Sequence, residues 1–150
     1  VRVVKFIGWT ALIALIVIQF FPVDYNYSKA VPQSDFMLVN NVPAAVGKTL
    51  QVSCYDCHSN NTDYPWYNKI QPVAWYLEEH VKEGKSELNF NEWATYSSRR
   101  KNSKLTSVIS QIENGEMPME SYTLIHREAI MDSLTQNKVI NYLKKLKSKD

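Results

Sequence analysis

The stretch best equipped for chemistry is Cys54-Tyr55-Asp56-Cys57-His58. Two thiols three positions apart share one side of a helical turn, and the histidine follows directly. This C-x-x-C-H spacing lets both thiols form thioethers with the vinyl groups of a haem while His58 ligates the iron from the same turn. Covalent haem c, with its iron, is the expected cofactor.

Other uses of two cysteines fit less well. A zinc site wants four ligands, and the chain has neither a second cysteine pair nor further ligands at short spacing. A thioredoxin-like pair belongs after a strand in a β-α-β unit, whereas the residues before Cys54 carry a helical pattern. A disulfide would leave the adjoining His58 unexplained.

The sixth position of the iron separates electron transfer from gas binding or catalysis. Met117 stands first, in Gly115-Glu116-Met117-Pro118-Met119, 59 residues after His58. Pro118 stiffens that loop and turns Met117 away from helix. Met119 can substitute, and His126 or His80 would give a bis-histidine iron of lower potential. Met37 and Met131 lack such a loop context. A vacant sixth site remains an alternative, as do ordinary packing for the methionines and a surface role for the histidines. Tyr64, Trp66 and Trp75 are the aromatic residues expected to cover the porphyrin, although they suit an ordinary core equally well.

These residues need elements to hold them. Val42, Val46, Leu50, Cys54 and Cys57 recur at intervals of four or three, so an apolar stripe and both thiols share one helix face, with Asn41 as its cap and Pro43 in its first turn. Pro72 opens a second helix on Val73, Leu77 and Val81, with Gly84 as its stop. Asn89 and Glu92 have capping-box-like spacing before Phe90, Trp93 and Tyr96. Leu105, Val108, Ile109 and Ile112 mark a helix ending at Gly115, and a last helix spans 135–147 behind the Ser133/Gln136 pair, burying Val139, Ile140, Leu143 and Leu146. No useful β-alternation appears. The expected class is all-α, a small cytochrome-c-like helical haem domain.

At the N-terminus, Arg2 and Lys5 precede an uncharged run from Phe6 to Phe21 that Pro22 and Asp24 stop. Its 16 residues make roughly 24 Å of helix, slightly short of a ~30 Å hydrocarbon core unless flanking residues help. No A-x-A-like cleavage site follows at once, so residues 1–23 read as a transmembrane anchor or uncleaved signal with the basic end in the cytoplasm. Residues 24–40 read as a tether and 41–150 as the haem domain. The expected location is the inner membrane, single-pass, with the haem domain in the periplasm. Without Arg2 and Lys5 the balance is 15 basic to 15 acidic residues. That gives no domain-wide basic field for nucleic acid.

Several blocks together carry a family likeness: Cys54 to Asn60, Tyr64-Pro65-Trp66-Tyr67, Ile70 to Trp75, Glu87 to Trp93, Gly115 to Pro118, and Tyr122-Thr123-Leu124-Ile125-His126. From about residue 40 onward the chain resembles the bacterial haem-binding domain family, small exported monohaem proteins of the Bacteroidetes type. The resemblance implies a cytochrome-c-like domain outside the cytoplasmic membrane and implies no substrate. It also strengthens His126 as a candidate distal ligand, with Met117 still first. The expected task is electron transfer with membrane or periplasmic redox partners rather than an enzymatic reaction. A haem enzyme or a gas or peroxide sensor with an open sixth site is the alternative.

Overall fold

A computed structural model of the chain describes residues 1–148. The first helix, α1 (Arg2–Ile18), is uncharged from Phe6 onward with Thr10 as its one polar side chain there, and only Ile18 is even half-buried. Its 17 residues extend about 25 Å, less than the ~30 Å of a bilayer's hydrocarbon core. Among the described residues no helix is long and apolar enough to cross a membrane, so the expected transmembrane helix is not found. The helix ends at Ile18, short of Phe21, where Gln19 turns its side-chain amide back to the Leu15 carbonyl at 2.8 Å.

Residues 24–40, expected to be a tether, lie fastened along the domain. The Asn26 amide N–H donates to the Tyr64 hydroxyl at 2.9 Å, its side chain donates to the Ser59 carbonyl at 2.8 Å, and Tyr27 pairs with Asn61 in an isolated bridge. The short α2 (Phe36–Val39) is capped by Asp35, whose carboxylate accepts from the Met37 N–H at 2.8 Å. Phe36 is wholly buried, because it wedges edge-on between Phe90 and Trp93.

The helix that carries the cysteines begins with α3 (Ala44–Leu50). Asn41 does not cap it: its backbone is left-handed at φ 48°, and Pro43 is the residue preceding the first turn. The chain then widens into a π-helical turn over Gln51–Tyr55 and closes with α4 (Asp56–His58). A single π turn inserted in a helix shifts the residues beyond it around the axis, and such turns recur at functional sites. The stripe of Val46 and Leu50 is buried, as its spacing requires.

A 3-10 turn, Trp66–Lys69, leads to α5 (Val73–Glu87), which packs on α4. Gly84 does not stop α5; the helix runs another three residues. A second 3-10 turn, Phe90–Thr95, follows Asn89, whose side chain accepts from the Asn91 N–H at 3.1 Å while donating to Glu92 at 3.0 Å. Then α6 (Ser98–Glu113) ends at Asn114 and the left-handed Gly115 (φ 71°), a conformation that suits glycine. After α7 (Glu120–Thr123) and a 3-10 turn at Arg127–Ala129 comes α8 (Ser133–Lys147). Its cap is Asp132, accepting from the Thr135 N–H at 2.7 Å, one residue earlier than the Ser133/Gln136 pair suggests. α6 packs against α8, and Leu50, Phe90, Trp93, Leu105, Ile112, Val139 and Leu143 form the core beneath. The described residues contain helices and no strand, as the sequence pattern leads one to expect.

Candidate haem site

Three segments distant in sequence meet at one cavity of about 320 Å³. α4 and the π turn bring Cys54, Cys57 and His58; α5 brings His80, Glu83, Gly84 and Glu87; the end of α6 and the loop beyond it bring Gln111, Ile112, Met117, Pro118 and Met119. Leu88, Phe90, Val108 and Met131 complete a mainly apolar wall. Its size lies within the ~300–1,000 Å³ usual for small-molecule sites.

His58 is set for ligation by what its other nitrogen does. Its Nδ1 lies 3.0 Å from the Leu88 carbonyl oxygen. A carbonyl can only accept, so Nδ1 carries the proton and Nε2 keeps its lone pair, the tautomer an axial ligand needs. Burial, opposed by the backbone bonds to Leu88 and Gly84, holds the imidazole below its usual pKa and so neutral. Phe90 stands edge-on to the imidazole, with ring centroids 6.3 Å apart, and is itself stacked on Tyr55 at 5.0 Å.

The Leu88 carbonyl is in turn held by a polar network. Asn89 donates to the Asn60 side chain at 2.8 Å, and the Asn60 N–H donates to Asn91 at 2.7 Å, so the chain after Leu88 is stitched to the loop after His58. Asn91 donates to the buried Asp35 carboxylate at 2.7 Å, which also accepts from the Tyr55 hydroxyl at 3.1 Å. These partners fix the backbone that orients His58 without touching its ring, and burial followed by the charge of Asp35 holds the Tyr55 hydroxyl well above its usual pKa.

Gly84 has a second use that its place in the sequence hides. A Cβ there would stand 2.6 Å from the Cys57 carbonyl oxygen and 3.2 Å from the Cys57 Cβ. Only glycine lets α5 approach the motif this closely. A glycine set amid the helix formers Glu83 and Lys85 was the available signal, since such a position calls for a packing reason.

Both thiols are free and turned into protein. Burial first, then the charge of Cys57, pushes the Cys54 thiol up to about 12; burial first, then Asp56, pushes Cys57 up to about 11. The acidic residues at the cavity, Asp56, Glu83 and Glu87, face one lysine, Lys104, whose Nζ lies 3.3 Å from Glu87.

Met117 and Met119 line the same cavity as the thiols and His58, as do Met131 and His80. His126 does not. Its Nε2 lies 2.9 Å from the Tyr67 hydroxyl, its Nδ1 lies 3.3 Å from Glu128, and its ring stacks on Tyr122 at 4.3 Å, so both nitrogens are engaged on the far side of the motif helix. Met37 is also elsewhere, beside Gly47. The aromatic cover is a further correction. Trp66 is 77% exposed and Trp75 38%, while Tyr64 packs edge-on with Tyr25 at 5.2 Å and donates no wall to the cavity. Their spacing marks aromatic character without direction, and the 3-10 turn Trp66–Lys69 sends Trp66 outward.

The residues present fit a haem: a neutral imidazole with a free Nε2, two thiols on the same wall, the methionine sulfurs of Met117 and Met119 at the cavity, and apolar flanks for a flat ring. Comparison with curated proteins and with solved structures returned no match. The sequence pattern of the haem-binding domain matches residues 13–145, most of the chain and including the segment that packs ahead of the motif. The chain therefore belongs to the haem-binding domain family.

Proposed function

We propose that this protein is an electron carrier whose haem is held covalently by Cys54 and Cys57, with His58 as proximal and Met117 as distal ligand. One observation supports it above the others: the two thiols, the His58 imidazole and the Met117 loop all line one cavity, with His58 Nδ1 occupied by Leu88. When bound, the haem supplies a one-electron couple. His58 and Met117 would hold the iron, leaving no open position for small substrates and letting the redox change proceed with little rearrangement. Met119 is the alternative distal donor. In this reading α1, uncharged from Phe6 onward and exposed, inserts into a membrane, and the redox partners are membrane-bound or periplasmic proteins.

The test is the absorption spectrum of the haem-loaded protein in both oxidation states. The carrier gives a near-infrared methionine-to-iron band that disappears in Met117→Ala. A rival reading, a haem enzyme or a gas or peroxide sensor with an open sixth site, draws on His80, which lines the cavity with its Nδ1 2.9 Å from the Tyr76 carbonyl. Rapid carbon monoxide binding by the ferrous wild type, unchanged in Met117→Ala, decides for that rival.

A further inference from the structure

The end of α1 is joined to the haem domain through one buried residue. Gln71 uses all four of its polar groups: its N–H donates to Gln19 Oε1 at 3.0 Å, its carbonyl accepts from Gln19 Nε2 at 3.1 Å, its side-chain amide donates to the Phe21 carbonyl at 2.8 Å, and its Oε1 accepts from the Trp75 N–H at 3.2 Å. Gln71 is 6% exposed, so this joint is built into the domain. The residues that flank it in sequence are apolar and exposed. Trp66 is 77% exposed and Ile70 46%, with Val73 and Trp75 also open to solvent, while Phe20 and Phe21 stand exposed where α1 ends. Lys69, the last residue of the 3-10 turn, is exposed between them.

Scattered apolar residues on a surface need no explanation, but these are contiguous in the chain with the joint and continuous with a helix that has no polar face. Tryptophan and tyrosine, apolar in body and polar at the tip, favour the headgroup level of a bilayer, and a nearby lysine suits anionic headgroups. A flexible tether would let the domain sample many heights above the membrane. A domain bonded to the end of α1 has no such freedom.

We propose that the haem domain rests on the phospholipid surface through the Trp66–Lys69 turn and the start of α5, with Trp66, Ile70, Val73 and Trp75 at the headgroup–acyl boundary, held in that pose by the Gln19–Gln71 joint. The proposal rests on the reading that α1 enters a membrane. It has a consequence for the haem. From Val73 to His80, the first residue of α5 on the cavity, is seven residues, about 10 Å of helix. The cavity thus begins within two turns of α5 from the residues proposed to meet the lipid.

The experiment uses the full-length, haem-loaded protein in vesicles of equal parts phosphatidylcholine and phosphatidylglycerol. A photo-crosslinking benzoylphenylalanine replaces Ile13, Trp66 or the exposed Thr106 in turn, and lipid adducts are counted by mass spectrometry. Position 13 reports on α1, and position 106, exposed on α6, is the control outside the segments that form the joint. Adducts at 13 and 66, each several-fold above 106, are the expected result. Adding Gln19→Ala, a change at an exposed side chain, lowers the yield at 66 several-fold and leaves 13 unchanged. Adducts at 13 with position 66 no higher than 106 overturn the docked pose while α1 insertion stands. No adducts at 13 overturn the membrane reading itself.

Discussion

The Tyr122 hydroxyl donates to the Asp56 carboxylate at 2.7 Å and lies 3.2 Å from the Val52 carbonyl. Asp56 lies between Cys54 and Cys57, and Tyr122 lies on α7, three residues beyond Met119. One phenol thus ties the segment that carries Met117 and Met119 to the helix that carries Cys54, Cys57 and His58. Burial first, then the bond to Asp56, holds the hydroxyl well above its usual pKa, so it stays a donor throughout the physiological range.

Tyr122→Phe keeps the ring stacked on His126 and removes only this tie. A hydrogen bond to a charged group contributes about 1.5–3 kcal/mol when well formed, and half-burial places the expected loss at about 1–2 kcal/mol in urea unfolding. Because the distal loop is then less fixed, the methionine-to-iron band should weaken while the haem stays attached. An unchanged unfolding midpoint together with an unchanged band contradicts the positioning role.

Gly84→Ala tests the contact between α5 and the motif. The added methyl meets the Cys57 carbonyl oxygen at 2.6 Å, a backbone atom that cannot swing aside. Overpacking of this kind costs about 1–3 kcal/mol, outweighing the better helix propensity of alanine, about 1 kcal/mol. Thermal unfolding of the haem-loaded protein should show a lower Tm, and the yield of attached haem should fall. A raised Tm means α5 does not approach Cys57 this closely.

The haem-free chain should lose stability in alkali. The ordinary thiol value is 9.0, and burial foremost pushes Cys54 up to about 12 and Cys57 up to about 11. Below pH 9 both folded and unfolded chains hold these protons, and the contribution is constant. Above it the unfolded chain releases them first, so stability falls as pH rises toward the folded values. Under reducing conditions the urea midpoint should be lower at about pH 10 than at about pH 8. Replacing both cysteines with serine should remove part of that slope. A slope equal in the two proteins refutes the assignment to the thiols.

Much of this was legible because apolar spacing reports helix faces directly. Leu105, Ile109 and Ile112, or Val139, Ile140 and Leu143, have one sensible arrangement, and the structure buries them. The motif helix was legible for the same reason, while its π turn was not, because an extra residue per turn leaves no mark on composition. Gly84 reads as a helix stop because a stopping glycine and a glycine of close approach look alike until the packing partner, here Cys57, is known. The aromatic residues failed for want of direction: Phe90, buried, supports His58, whereas Trp66 faces solvent. The Asp35–Asn91–Asn60 network joins residues up to 56 apart in sequence, and nothing in local spacing announces it. His126, brought close by the family blocks, belongs to the same chemical neighbourhood but to the other side of the motif helix.

Covalent haem on Cys54 and Cys57 is read from the intact mass of the denatured protein after expression alongside a haem-attachment system. The expected mass is raised by one haem, an increase retained after acid–acetone extraction and lost only when both cysteines are replaced. A mass equal to that of the bare chain, with all haem recovered in the extract, contradicts it.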